Sequence, residues 1–272
     1  MRALASLYHP VTGTPFQQDE TYREVAPCAA LAPYIRCFWG SDRPLPARPS
    51  GAGIVIPDTC MDVIFHIDYA NNRISRALDD TSTLTGGSDA SGGLEATFAI
   101  RFYAWTASLF TGDSLHGSLN GRYPAEVFFP GIVRTLMPVL FDKQTLPERI
   151  RAAEPVLLSF LDMSRADPAV LCAVHHMLRT SGRARIGDVS AALALSPRQL
   201  ERRFDVSMGV SPKALASLMR YQLLWQDLLY TPRFDALDAV AKFGYTDQSH
   251  LLSDFRRRHL MSPREALAFA RR

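Results

Sequence analysis

Apolar residues in the first half of the chain fall in short runs broken by Gly, Pro and Asn, not at the three- and four-residue steps of a helix. Runs at 34–39, 53–56, 61–67 and 97–102 therefore predict strands. Asn71 and Asn72 precede a further run at 73–78 and fit a two-residue hairpin loop, since Asn tolerates the positive φ such turns need. Residues 79–93, rich in Ser, Thr, Gly and Asp, read as a mobile loop. From Pro147 the period changes. Ile150, Ala153, Val156, Leu157, Phe160 and Leu161 recur at helical spacing behind Glu148, where a helix dipole favours negative charge. Asp167 then caps, and Pro168 opens, a second helix that runs to about 178 and is ended by Gly182.

Beyond residue 183 the helical pattern repeats. Residues 186–215 laid on 237–266, an offset of 51, align Val189 with Val240, Leu200 with Leu251, Phe204 with Phe255 and Ser211-Pro212 with Ser262-Pro263. These matches fall where a helix, turn, helix unit must be apolar or capped. In the first copy Ser196 accepts a helix N–H, Pro197 lacks the donor that would be orphaned there, and Gln199 reaches back as in a capping box. Leu200 and Phe204 turn inward, which sends Arg198, Glu201 and Arg202 outward. A long helix from Pro212 to about 230 follows, its Leu215, Leu218, Leu224, Leu228 and Leu229 placed to pack against both copies. In the second copy Asp235 opens the first helix, Gly244 supplies the turn and Asp247 caps the helix 248–259. There Leu251 and Phe255 turn inward, while Gln248, Ser249, Leu252, Ser253 and Arg256 turn outward. The predicted fold class is α+β: a β-rich domain over 1–146, a helical linker over 147–182, and an all-α domain over 183–272 with two helix-turn-helix units.

Charge separates the same two regions. The 272-residue chain is nearly balanced, with 30 basic and 27 acidic groups, but from His175 onwards there are 16 Lys and Arg against 9 Asp and Glu, and before it 14 against 18. A basic end on an acidic body is the footprint of one module that neutralises phosphates beside another that does not. Cys28, Cys37, Cys60 and Cys172 are too scattered for a disulfide framework. With neither a secretory leader pattern nor a long apolar run, a cytoplasmic protein that needs no metal or cofactor is expected.

Three strings carry a resemblance to a known family: 195–204 around Ser196-Pro197-Arg198-Gln199, 209–213 around Ser211-Pro212, and 244–251 around Tyr245-Thr246-Asp247-Gln248. They resemble the paired signatures of the AraC/XylS transcription regulators over about 85 residues. More weakly, 33–39 and 56–65 are similar to a sensor domain found ahead of this module in some members. The resemblance implies a sequence-specific regulator with a cupin-like effector-binding or dimerisation domain. Double-stranded DNA is the implied partner, and RNA polymerase, a small-molecule effector and a second copy of the chain are further candidates. Two positions depart from the family pattern: Ser253 stands where Arg or Lys is frequent, and Leu260 stands where the first copy has Gly209. They make the second unit an anchor more than a reader.

On this reading Pro197, Arg198, Gln199, Glu201, Arg202, Gln248, Ser249, Leu252 and Ser253 are candidates to meet base edges, with Arg198 and Arg202 suited to guanine. Glu201 has the alternative of pairing with a neighbouring Arg. Lys213, Arg256 and Arg257 are candidates for phosphate contact, against the alternative of a solvated charged face. His250 is expected to hydrogen-bond within its turn. In the β-rich domain Trp39, Cys60, Phe65, Phe102 and Trp105 are candidates to line an apolar ligand pocket, or else are core. Cys60 and His66 share a strand face, half of what a metal would need. Two rivals to a sensor-controlled regulator remain: a DNA-repair or modifying protein with Cys60 as reactive thiol, and an N-terminal domain that only mediates interaction.

Overall fold

The computed structural model describes residues 1–13, 20–46, 56–69, 71, 73–79, 93–118, 122–231, 234–259 and 261–270. The strands are β1 (Arg23–Val25), β2 (Ile35–Gly40), β3 (Leu45–Pro46), β4 (Cys60–Asp68), β5 (Arg73–Asp79), β6 (Leu94–Tyr103) and β7 (Arg122–Tyr123). They form one antiparallel sheet in the order β1-β2-β6-β4-β5-β7, with β3 paired to β6 beside the path. The helices are α1 (Arg2–Leu7), α2 (Ala104–Ala107), α3 (Pro130–Leu140), α4 (Leu146–Phe160), α5 (Pro168–Arg179), α6 (Ile186–Ala192), α7 (Pro197–Met208), α8 (Pro212–Tyr230), α9 (Ala236–Phe243), α10 (Gln248–His259) and α11 (Pro263–Ala270). The class is α+β, with the sheet N-terminal and the helix-turn-helix units C-terminal.

Alternation along β4 and β6 gives the sheet two different faces. Met61, Val63, Phe65 and Ile67 join Ala96, Phe98, Ile100 and Phe102 on the side covered by Ile132 and Leu136 of α3 and by Leu146, Ala153 and Leu157 of α4. The register between β2 and β6 shifts between Ile35 and Cys37. This irregularity lets Ile35 and Phe38 join that core while Cys37 and Trp39 lie with Ile64 and Ala99 on the opposite face.

Some sequence expectations meet a different outcome, and others fall largely outside the described residues. The strand expected at 53–56 falls mostly outside the described residues, and Ile56 is buried without being in a strand. Strands β4 and β5 close at the pair Asp68 and Arg73, so their connection has four residues, not two. The Asp68 carboxylate accepts from the Asn71 backbone N–H at 3.0 Å and from its side-chain amide at 2.7 Å, a local bond that holds the wider turn. Of the loop expected at 79–93, Asp79 ends β5 and 80–92 lie outside the described residues, as does Leu260. Helix α3 has no counterpart in the periodicity reading; no side chain caps its start at Phe129, and it carries Pro138 inside at the cost of one backbone hydrogen bond.

Beyond the sheet, local signals set the helix starts. Thr145 and Glu148 close a capping box at α4, and Asp167 accepts from the N–H groups of Ala169 and Val170 at α5. Val170, Ala173, Val174 and Met177 of α5 enter the core of the first helix-turn-helix unit with Val189, Leu200, Phe204 and Met208, and Leu4, Tyr8, Tyr103 and Trp105 pack there too. A second core holds Ala239, Phe243, Leu251, Phe255 and Ala266, with Val11 and Ile56. Helix α8 serves both: Leu215 and Met219 belong to the first core, and Leu224, Trp225 and Leu228 to the second, with Leu218 and Leu229 against its edge.

Candidate nucleic-acid interface

Helix α7 is fixed at both ends by short-range chemistry. The Ser196 hydroxyl accepts from the Gln199 N–H at 3.3 Å, and the Gln199 side-chain oxygen accepts from the Ser196 N–H at 2.8 Å. Gly209 ends the helix at φ +68°, a left-handed conformation that Gly adopts without a Cβ penalty. Leu200, Phe204 and Met208 are buried, which leaves Pro197, Arg198, Gln199, Glu201 and Arg202 exposed together. Arg198, Glu201, Arg202 and Asp205 line an open groove of about 960 Å³ along the helix. Gln199 has part of its hydrogen-bonding capacity taken by the cap. No ion pair engages Glu201 among the described residues.

The second unit is built alike, with a different turn. Asp235 caps α9, Gly244 carries φ +70°, and Asp247 accepts from the His250 N–H at 2.7 Å. In the first unit the left-handed residue is Ala194 at φ +53°, one place later than the repeat offset would put it. Gln248, Ser249 and Ser253 are exposed, whereas Leu252 is half-buried and packs against the second core, so it presents only part of its side chain outward. His250 bonds within the turn, its Nδ1 3.3 Å from both the Thr246 N and Oγ1, and its ring meets Tyr245 edge-on.

The basic residues divide. Lys213, Arg256 and Arg257 are exposed, Arg257 lying 3.8 Å from the buried Asp254. Arg258, the third member of the basic run, turns inward: it donates to the Ser217 hydroxyl at 2.9 Å and lies over the Tyr221 ring at 4.9 Å. Arg203 donates to the Asp167 carboxylate at 2.7 Å, tying α7 to the start of α5. Asp205 meets His116 of the N-terminal domain. Sequence spacing gave no signal for these last pairs, because the partners lie 36 and 89 positions apart.

In the N-terminal domain the five candidate pocket residues are not brought together. Phe65 and Phe102 are fully buried between the sheet and α3 and α4, and Trp105 is packed with Tyr8 and Tyr103 in the first helix-turn-helix core. Strand alternation puts the two Phe on the covered face, and the turn after β6 swings Trp105 toward the C-terminal domain. Trp39 and Cys60 remain near a buried polar cluster that sequence spacing did not single out. Its centre is Arg101, which donates to both Asp62 carboxylate oxygens at 2.8 and 2.6 Å, lies 3.6 Å from Asp58 and 4.0 Å from Glu24, and sits 5.7 Å from the Trp39 ring. Burial works against the Arg101 charge, but Asp62 and Asp58 outweigh it and hold the guanidinium firmly protonated. Burial pushes the Cys60 thiol well above its ordinary range, and Asp58 pushes it further. Among the described residues the Trp39 Nε1 and Arg36 Nε groups are buried without an acceptor. Cys60 and His66 are both on β4, yet among the described residues no three His, Cys, Asp or Glu gather to hold a metal.

Comparison with known proteins matches two separate regions of the chain. Residues 189–268 match the family described as Helix-turn-helix domain, and residues 23–123 match the Domain of unknown function (DUF6597). No curated protein matches the sequence. Among solved structures, the chain is similar to an apo variant of ToxT from Vibrio cholerae, at 13% identity and a TM-score of 0.41 over 86% of this chain and 97% of that one. A second ToxT structure from Vibrio cholerae gives 14% identity and a TM-score of 0.38 over 85% and 98%. No helix among the described residues is long and apolar enough to cross a membrane. The C-terminal part of the chain, residues 189–268, is an AraC-type helix-turn-helix domain, set behind a DUF6597 domain at residues 23–123.

Proposed function

We propose that the protein is a sequence-specific transcription regulator that lays α7 and α10 into successive major grooves of duplex DNA. The observation that carries this reading is a pair of capped helices with buried apolar stripes and exposed polar faces, joined by α8, which is common to both cores. Arg198 and Arg202 are assigned to base edges, with Pro197, Gln199, Glu201, Gln248, Ser249, Leu252 and Ser253 around them, and Lys213, Arg256 and Arg257 to phosphates. RNA polymerase and a second copy of the chain are its proposed protein partners, and the cytoplasm its proposed compartment. The test is a salt titration on duplex DNA: affinity should fall steeply and linearly on logarithmic axes, and binding indifferent to salt would refute phosphate neutralisation.

We further place a small-molecule effector on the sheet face around Arg101 and Trp39, in view of the buried Trp39 and Arg36 donors that have no acceptor among the described residues. Trp39→Phe keeps an aromatic ring and removes the N–H. It should lower the thermal shift produced by an active metabolite fraction, and an unaltered shift would move the effector elsewhere. Cys60 as a reactive thiol finds no support in surroundings that keep it buried and protonated.

A further inference from the structure

Asp205 is a carboxylate on a face built to approach phosphates. It follows Arg198 by seven residues and Arg202 by three, so the three share one face of α7, and all line its groove. An unpaired carboxylate there would repel the DNA backbone. Its partner is His116, which comes from a different domain and meets it through Nδ1.

The loop that delivers His116 is firmly held. Arg165 donates to the carbonyls of Ser108, Gly112 and Asp113 at 3.0, 2.9 and 3.2 Å, and Leu115 is fully buried in the N-terminal core. The Leu115 N–H then donates to the Val206 carbonyl at 3.0 Å. That carbonyl lies in the last turn of α7, where helical partners run out, so the N-terminal domain caps the recognition helix. Gly209 approaches so closely that a Cβ would collide with Ser118 Oγ and the Leu115 carbonyl. The His116 side chain nevertheless stays 72% exposed, at the rim of the reading face.

We propose that His116 is a positioning residue of the DNA-binding surface: by donating a hydrogen bond to Asp205 it ties down and screens a repulsive carboxylate on the face that carries Arg198 and Arg202. The inference rests on the DNA-binding reading and adds that the N-terminal domain contributes directly to affinity. The test measures binding of the full chain to a random-sequence duplex of about three helical turns, roughly 30 base pairs. His116→Ala, at an exposed position, should keep its thermal midpoint and weaken binding roughly three- to tenfold. His116→Gln, which retains an N–H donor, should keep most of the affinity. Adding Asp205→Asn to His116→Ala should restore it. Unchanged or tighter binding by His116→Ala would overturn the proposal, the tighter case assigning the loop a restraining role. Weakening that Asp205→Asn fails to rescue would overturn it too, by placing the effect in loop docking. Wild-type protein that leaves the duplex unbound would refute the DNA-binding reading itself.

Discussion

Arg202 and Lys213 carry the same charge on the same unit, and their positions predict different roles. Arg202 stands mid-face on α7, whereas Lys213 is the second residue of α8, beside helix N–H groups that favour a phosphate. Arg202→Ala should cost about 1–3 kcal/mol at one base pair and relax the preference there. Lys213→Ala should weaken binding to all sequences alike and reduce the salt slope by about one. Binding titrations on selected and random duplexes separate the two, and equal effects would refute the division. In the N-terminal domain Arg101→Leu would leave Asp62, Asp58 and Glu24 in a buried cluster without their shared cation. Urea unfolding should show a loss of about 3–5 kcal/mol. The basic character of residues 256–258 was legible in the sequence. The inward turn of Arg258 was not, because it depends on Ser217 and Tyr221 of α8, about 40 residues away.

The helix starts were legible because capping acts within three residues. Ser196, Asp167 and Asp235 each perform the bond their position in the pattern suggests. Ser196→Ala should therefore lower stability by about 1 kcal/mol, read by chemical denaturation. Acid should weaken two further starts. The Thr145 N–H holds Glu148 below the ordinary glutamate range, and bonds from Ser262 do the same for Glu265. With the folded pKa depressed, the contribution is present above the unfolded pKa and lost as pH falls through the folded one. Glu148→Gln should thus flatten part of the stability loss between neutral pH and about pH 3. Elements without a local signature were harder to delimit. Helix α3 starts after Phe129 with no side-chain cap, and the width of the β4–β5 connection is set by where strand pairing stops, not by the Asn pair alone.

The two sequence regions do not stand apart in the whole molecule. Gln222 of α8, fully buried, accepts from the Val11 N–H at 2.6 Å and donates to the carbonyls of Val11 at 3.3 Å and Pro57 at 2.6 Å. Gln222→Leu should destabilise the full chain by about 1–3 kcal/mol in denaturant unfolding, since three backbone groups lose their partner. Helix α5, read from sequence as linker, supplies Val170, Ala173, Val174 and Met177 to the first C-terminal core. A fragment 168–272 should accordingly melt higher than one of 183–272. Equal midpoints would show that α5 adds nothing to that unit. The sequence by itself determined the paired helix-turn-helix units, their caps and their outward residues apart from the half-buried Leu252, because periodicity and capping are local and repeat at a fixed offset. Only the tertiary structure decided that His116 meets Asp205, that Gln222 holds the N-terminal arm, and that Phe65, Phe102 and Trp105 belong to two separate cores. Those outcomes depend on which surfaces pack across long stretches of chain, where no residue's own pattern names its partner.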